Sequence, residues 1–173
     1  SKRVRQVLSE SKPINNARPI YGKEIFLKKI NGMRYGQSPK EGVIFGDHFI
    51  HNGLEIKFKL PEDFFFLNTK KFLLGTSEDD SKIIIDVRKN KNNEDILEYT
   101  KRVLGKKFPK NYNRNSVDGM DSIDIAFKTK DKINRLAVIK NGQNMLRLFL
   151  TSKKNNYSEN DNSFQTIFSS VRK

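Results

Sequence analysis

The chain has 173 residues, a formal net charge of +14 and no cysteine. This length fits one ordinary domain with a modest extension. Disulfides and thiolate zinc sites are excluded, since both need cysteine. No apolar run approaches the roughly 18 residues of a membrane-spanning helix, whereas the 13 phenylalanines can fill a core.

The positive charge has two explanations. Nucleic-acid and anionic-surface binders are basic, but so is any chain rich in Lys, Asn and Ile. Phosphate-binding proteins usually concentrate their cations and favour Arg for bidentate contacts. Here the lysines are scattered, so compositional bias is favoured and nucleic acid is not the expected partner. The lysine pairs are Lys28-Lys29, Lys70-Lys71, Lys106-Lys107 and Lys153-Lys154.

The first segment predicts a connector. Pro13 and Pro19 each restrict the residue before them, which favours extended chain over residues 1–20. The charged start has no apolar segment after it, so we expect no signal peptide there.

The next segment predicts a helix followed by a shaped loop. Apolar residues at helical spacing indicate a helix over residues 22–31, which Gly32 ends. Glycines and a proline over residues 33–46 predict an ordered loop that leads into a strand. We expect residues 21–53 to pack as one segment on a main domain, residues 54–173.

Residues 54–107 predict strands and then a helix. Apolar residues alternate with charged ones from Leu54 to Leu60, which is the period of a half-buried strand. The later helix has an asparagine-rich start and one apolar stripe. The predicted elements are strands at 54–60, 64–67, 71–75 and 82–88, and a helix from Asn92 to about Lys107.

The remaining residues predict a hairpin and a final helix. Asn141-Gly142 stands between two apolar runs and is typical of a hairpin turn. The class is therefore α+β, an antiparallel sheet flanked by helices. The predicted elements are a polar loop at 109–118, strands at 123–127, 133–139 and 145–150, and a helix that begins at Asn160–Asn162 and runs to Val171.

The two histidines do not form a recognised catalytic pair. His48 and His51 lie three residues apart, whereas the zinc-protease motif His-Glu-x-x-His needs a spacing of four and a glutamate. In an extended segment they point to opposite faces, so a metal site with Asp47 is a weak hypothesis. No nucleophile elbow, phosphate loop or dinucleotide motif is present. We therefore expect no catalysis and no cofactor in this chain.

Three aspartates recur at every third position but do not form a calcium loop. Asp118, Asp121 and Asp124 lack the ligand spacing of an EF-hand, because Gly119 directly follows the first aspartate. We interpret them as polar residues at the start of a strand.

Several segments together resemble the region downstream of the catalytic domain in bacterial M48 zinc metallopeptidases of the Ste24 and BepA types. Asn31 departs from the family pattern, where Asp is usual, and so does Asn52, where Pro is expected. The residues that carry the resemblance are Tyr21, Phe26-Leu27, Ile30–Met33, Tyr35–Pro39, Gly42-Val43, Gly46, Phe49–His51, Gly53-Leu54, Phe58 and Pro61–Phe64.

From Leu54 to the final helix the chain resembles Mog1/PsbP-like domains, which are α/β/α sandwiches used as binding modules. The residues that fit this pattern are Val117–Met120 and the closing Phe168–Arg172. The resemblance to the M48 peptidases implies a periplasmic or cell-envelope location, with zinc held by a catalytic domain upstream. The implied partners are that protease domain, envelope proteins and protein substrates.

The candidate interaction surface is the loop before the first strand, because glycine- and proline-shaped loops on a rigid sheet often carry function. Two other interpretations stay open: a standalone basic domain that binds nucleic acid or an anionic surface, and a scaffold that self-associates through a sheet edge. The candidate residues are Tyr35, Gly36, Ser38, Pro39, Gly42 and His51.

Overall fold

The computed structural model describes residues 41–173, which all belong to one unit spanning Arg34–Lys173. The predicted connector and first helix lie outside the described residues. So do four of the candidate loop residues, namely Tyr35, Gly36, Ser38 and Pro39.

The described chain begins with a small antiparallel sheet of three strands. A tight turn at Gly46, whose φ is +59°, joins the first two strands. The second and third strands pair with each other from His48↔Lys59 to His51↔Ile56. This pairing crosses the predicted boundary between the segment 21–53 and the main domain 54–173. The strands are β1 (Val43–Phe45), β2 (His48–His51) and β3 (Ile56–Lys59).

The main sheet has seven strands, all antiparallel to their neighbours. Its strands are β4 (Phe65–Asn68), β5 (Leu73–Thr76), β6 (Lys82–Lys89), β7 (Asn113–Val117), β8 (Met120–Lys128), β9 (Lys132–Asn141) and β10 (Asn144–Lys153). They lie in the order β4-β5-β6-β10-β9-β8-β7, so the last strand of the chain inserts beside β6. The predicted α+β class with an antiparallel sheet is confirmed.

Within residues 41–173, two α-helices flank the main sheet. The first, α1 (Ile96–Leu104), begins at Asp95, whose carboxylate accepts a hydrogen bond from the Leu97 amide at 2.8 Å. The second, α2 (Tyr157–Ser170), buries Phe164 and Ile167. Short 3₁₀ turns adjoin these elements at Asn52–Leu54, Gly105–Lys107 and Lys154–Asn156.

The helices cover the two faces of the main sheet unequally. Side chains of α2 and of the small sheet share one buried cluster with alternate residues of the main sheet, including Ile83 and Leu148. We call this the covered face. On the other side α1 packs on β8 and β9, with Ile123 and Val138 fully buried beneath it. We call that side the open face, because α1 spans only part of it.

The structure corrects several predicted boundaries. Within the predicted polar loop at 109–118, residues 113–117 form the edge strand β7, which the pattern does not reveal because only Val117 is buried. The strand expected from Leu54 begins at Ile56, since Glu55 takes a left-handed conformation with φ of +51°. The final helix begins at Tyr157, three residues before the predicted asparagines.

The predicted hairpin is confirmed with a one-residue shift. Asn141 and Asn144 form the last pair of the β9–β10 ladder, so Gly142 and Gln143 make the turn. Gly142 has a φ of +57°, a conformation that glycine adopts without strain. The Asn141 side chain donates to the Leu54 carbonyl at 2.8 Å and so ties this hairpin to the small sheet.

Candidate functional site

The described part of the candidate loop lies where the small sheet meets the edge of the main sheet. Phe49 and His51, two residues apart on β2, project to the same side of the strand. Phe49 is buried and stacks on Phe58 with 5.0 Å between ring centroids. Its other neighbour is Gly42, where an added Cβ would lie 2.3 Å from the Phe49 ring. Gly42 also has a φ of +81°, so both space and conformation require glycine there.

Asn68, at the end of β4, holds this loop in place. Its side-chain amide donates to the Gly42 carbonyl at 2.9 Å and to the Glu41 carbonyl at 3.4 Å. The contact joins residues 26 positions apart. The position of the loop is therefore fixed by a residue of the main sheet.

His51 brings an unsatisfied polar atom to this site. Its Nδ1 is buried and has no hydrogen-bond partner among the described residues. Burial lowers the pKa of His51 below its ordinary value, so the ring is neutral at pH 7. A buried polar atom without a partner is costly, and such atoms in native proteins call for an explanation. One explanation is a bound partner that reorganises the ring and supplies the missing hydrogen bond.

The turn between β4 and β5 adds positive charge to the same site. The Thr69 hydroxyl donates to the Phe72 carbonyl at 2.6 Å and accepts from the amides of Lys71 and Phe72. These bonds fix the turn. Lys70 and Lys71 are exposed on it, and Phe72 is 38% exposed.

Together these residues line a cleft of about 170 Å³ between the two sheets, which we call the His51 cleft. Its floor is apolar, with Leu73, Ile85 and Leu146. Its rim carries a neutral imidazole, an amide and two ammonium groups. Two carboxylate residues also line it, Glu41 and Asp86, and the second of them is paired with Arg147. This combination suits binding, because apolar contact supplies affinity and a few polar groups set orientation.

The structure separates the two histidines, in agreement with their spacing. His48 is exposed and its Nδ1 lies 2.7 Å from the Asp47 carboxylate at the tip of the β1–β2 hairpin. His51 lies in the cleft on the opposite face of β2. They do not converge on one metal, and residues 41–173 hold no group of three or more His, Cys, Asp or Glu placed to bind one.

The three aspartates also have separate partners. Asp118 accepts from the Lys173 amide at 2.8 Å, Asp121 pairs with Arg114 at 2.7 Å, and Asp124 pairs with Arg135 at 2.5 Å. They form structural ion pairs and hydrogen bonds. No calcium loop is assembled from them.

Two polar networks on the covered face are likewise structural. Arg135 bridges Asp124 to Asp161 of α2 and lies over the Phe164 ring, with 4.7 Å to its centroid. Burial would lower the pKa of Arg135, but the hydrogen bonds that it donates to Asp124 and Asp161 and its attraction to their charges together raise the pKa. Both networks fasten α2 to the sheet.

The second network centres on Asp79 in the β5–β6 turn. Burial alone would raise the pKa of Asp79, but hydrogen bonds from Ser77, Asn156 and the Ser81 amide bring it well below its usual range. Asn160 of α2 donates to the same carboxylate at 3.0 Å. The start of α2 is therefore held by a carboxylate that is ionised at neutral pH.

The cationic turn, residues 68–72, is the part of the site that sequence reasoning missed. The run Asn-Thr-Lys-Lys between apolar segments is typical of an exposed turn. That pattern could have predicted the turn. It could not have predicted that the turn faces His51, which lies at least 17 residues earlier in the chain.

Known protein folds support the architecture. No family model and no curated protein matches the chain. Three solved structures share its fold at low sequence identity. None of the described helices is long and apolar enough to cross a membrane.

The three structures come from different bacteria. The cyanobacterial PsbP protein CyanoP from Synechocystis sp. PCC 6803 is 11% identical with a TM-score of 0.55, and the match covers 82% of this chain and 97% of that one. LpqN of Mycobacterium tuberculosis, involved in cell envelope biogenesis, is 13% identical with a TM-score of 0.50, over 68% and 82%. A Bacteroides thetaiotaomicron structure is 14% identical with a TM-score of 0.52, over 73% and 48%. The PsbP-like fold is confirmed; the peptidase parentage gains no support.

Proposed function

We propose that this chain is a non-catalytic binding domain whose His51 cleft receives a side chain from an extended segment of a partner protein. The observation that carries the proposal is the buried His51 Nδ1, which has no hydrogen-bond partner among the described residues, in a cleft bordered by the fixed turn that carries Lys70 and Lys71. A partner that supplies a hydrogen bond there would remove the cost of leaving that atom unsatisfied.

The size and charge of the cleft support a protein segment. At about 170 Å³ it is smaller than the roughly 300–1,000 Å³ of ordinary small-molecule pockets, so it suits one side chain rather than a whole cofactor. Lys70 and Lys71 favour an acidic residue beside that side chain. Acidic protein segments are the partner class that fits best.

We further propose that the domain is an accessory part of an M48-type zinc metalloendopeptidase in the cell envelope, where it recognises substrates or partners or regulates the protease. The resemblance over residues 21–64 supports this parentage. The zinc would be held by a catalytic domain upstream. The division into a connector, residues 1–20, a packed segment, residues 21–53, and the accessory domain, residues 54–173, belongs to this proposal.

Two experiments test the proposal separately. The reading frame upstream of Ser1 should encode a His-Glu-x-x-His helix, and its absence would contradict the parentage while leaving the cleft untouched. A photo-crosslinking residue at Phe72 should form specific protein adducts in cells that Lys70→Glu/Lys71→Glu abolishes. The same charge change at Lys106 and Lys107 is the matched control.

If the Phe72 adducts are unaffected by the cleft variant, or equally reduced by the control, the His51 cleft is not the binding site. Failure of both experiments would leave the alternative of a standalone basic domain. The described residues carry 24 Lys and Arg against 18 Asp and Glu, so residues 1–40 hold +8 of the net charge. Binding of an oligonucleotide that falls steeply with salt would favour that alternative.

A further inference from the structure

The open face of the main sheet has an apolar row that no described element covers. Leu67, Leu74 and Ile84 are directly opposed across β4, β5 and β6, and Phe149 of β10 continues the row. The first three belong to neither buried cluster. Leu67 is 55% exposed, and the other three are half-buried.

The row is uncovered because of where α1 lies. The helix packs on β8 and β9, and it leaves the half of the open face formed by β4, β5 and β6 without a helix among the described residues. Because β4 is the edge strand of the sheet, a flat surface can approach this half from the side that lies away from α1.

Three lysines border the apolar row on the same face. Lys132 and Lys153 are directly opposed in the β9–β10 ladder, which places their Cβ atoms about 5 Å apart. Lys82 lies opposite Thr151, two residues from Lys153, so it is a diagonal neighbour at about 7–8 Å. All three are exposed.

This arrangement opposes folding and calls for a function. Like charges directly opposed in a ladder destabilise it, and none of the three lysines forms an ion pair within residues 41–173. Lys128, Lys130 and Lys154 lie at the same end of the sheet. The exposed carboxylates nearby, in the adjoining turns, are fewer: Glu78, Asp80 and Asp131.

We propose that this surface docks on an anionic lipid bilayer. The open-face patch, as we call it, consists of Leu67, Leu74, Ile84 and Phe149 with Lys82, Lys132 and Lys153. The apolar row enters the interfacial region, while the lysines pair with lipid phosphates and keep their ammonium groups in water. The patch lies on the face opposite the His51 cleft, so docking leaves the cleft open to its own partner.

Two features favour lipid over single-stranded nucleic acid. Nucleic-acid surfaces stack bases on exposed aromatic rings, whereas the exposed part of this row is aliphatic. The arginines of the same face, Arg88 and Arg147, are held by Asp86 at 3.1 and 2.5 Å. The cations without an ion pair on the described part of this face are therefore lysines. Lysine acts as a point charge and suits headgroups that need no fixed geometry.

The dimensions predict reversible binding. Four strands span about 14 Å, and the four residues from Phe149 to Lys153 add about 13 Å along the strand. A patch of this size inserts few side chains. Attachment therefore depends on the combination of charge and apolar contact, as with other two-part membrane anchors.

Flotation of the 173-residue chain with vesicles tests whether the three lysines contribute to binding. Vesicles of equal parts phosphatidylglycerol and phosphatidylcholine should bind the chain, and pure phosphatidylcholine vesicles should not. Because each lysine near an anionic surface contributes about fivefold, Lys82→Glu/Lys132→Glu/Lys153→Glu should lower the partition coefficient more than fiftyfold. The matched control, Lys106→Glu/Lys107→Glu/Lys110→Glu, should change it less than threefold.

A second pair of variants tests the apolar row. Leu67→Ser should lower partitioning severalfold, whereas Phe45→Ser, at an exposed hairpin tip elsewhere, should leave it unchanged. Circular dichroism establishes that each variant keeps its fold. Equal loss in both triple variants, equal binding to both kinds of vesicle, or wild-type binding by Leu67→Ser would each overturn the proposal. So would lysine-dependent binding of a 20-nucleotide single strand without vesicle binding.

Discussion

The two faces of the seven-stranded sheet differ in how far they bury apolar side chains and in how they pair charged ones. On the covered face Phe164 is completely buried, and Arg135 and Asp79 each have several partners. On the open face Leu67 is more than half exposed, and Lys132 faces Lys153 without an ion pair among the described residues. The covered face, together with the part of the open face beneath α1, therefore supplies the burial that stabilises the domain. The open face is free to carry residues that reduce stability and serve recognition.

The largest expected effect tests the contribution of apolar burial on each face. Phe164→Ala should lower the free energy of unfolding by about 3–5 kcal/mol, because it empties a buried site and removes the ring beneath Arg135. Leu67→Ala should lower it by less than about 0.5 kcal/mol. Chemical denaturation at pH 7 measures both. Similar losses would show that the half of the open face formed by β4, β5 and β6 is also part of the core.

The second prediction concerns the ion pairs of the covered face. Arg135→Met should cost about 2–3 kcal/mol, since it leaves Asp124, whose side chain is 9% exposed, without its cation. The double variant Arg135→Met/Asp124→Leu should recover most of the loss, because the buried carboxylate is then gone and Asp161, whose side chain is 31% exposed, keeps its contact with water. Lys132→Met on the open face should instead be neutral or stabilising, as it relieves the opposition with Lys153. A Lys132→Met variant that is less stable than the wild type would contradict the difference proposed between the two faces.

The third prediction is the response of the covered face to acid. The folded pKa of Asp79 lies below its unfolded value of about 3.9. Its contribution to stability is thus complete above pH 4 and is lost as the pH falls through the folded pKa. Asp79→Asn should lower stability at pH 7 and reduce the loss between pH 5 and pH 3. Urea midpoints at three pH values check this, with Asp80→Asn in the same turn as control.

The smallest expected effect concerns the His51 cleft. Because burial lowers the pKa of His51, the folded protein resists protonation, and stability should fall as the pH drops below the unfolded value of about 6.5. The effect should be the smallest of the four, and His51→Phe should remove it. The imidazole resonance should titrate below pH 6.5 in the free protein. A midpoint at or above that value would mean that the ring is not held neutral by burial.

Much of the fold was predictable because local patterns and tertiary packing agree. In β6 the positions Ile83, Ile85 and Val87 alternate with Ile84, Asp86 and Arg88, and the first set matches the covered face. The hairpin at Asn141-Gly142 needs only its own turn chemistry. The edge strand β7 was missed because an edge strand with one buried residue has no apolar alternation. Its ladder with β8 is a tertiary contact that the residues of β7 do not encode alone.

The candidate site was only half predictable. Gly42 and His51 stood out as loop residues, and the structure places both beside Phe49. Lys70 and Lys71 looked like one scattered pair among four. They acquire a role only because Asn68 carries their turn to the cleft.

The sequence by itself determined the α+β class, most of the strands and the lack of a recognised catalytic motif, since these follow from periodicity and residue identity over a few positions. Only the tertiary structure decided which lysines stand opposed and which imidazole has a buried nitrogen. It also decided which part of the sheet stays open, because α1 packs on β8 and β9 and does not reach β4, β5 and β6. Those features depend on contacts between residues far apart in the chain, and strand order is set by the packing of the whole sheet. The proposed functions rest on those long-range contacts.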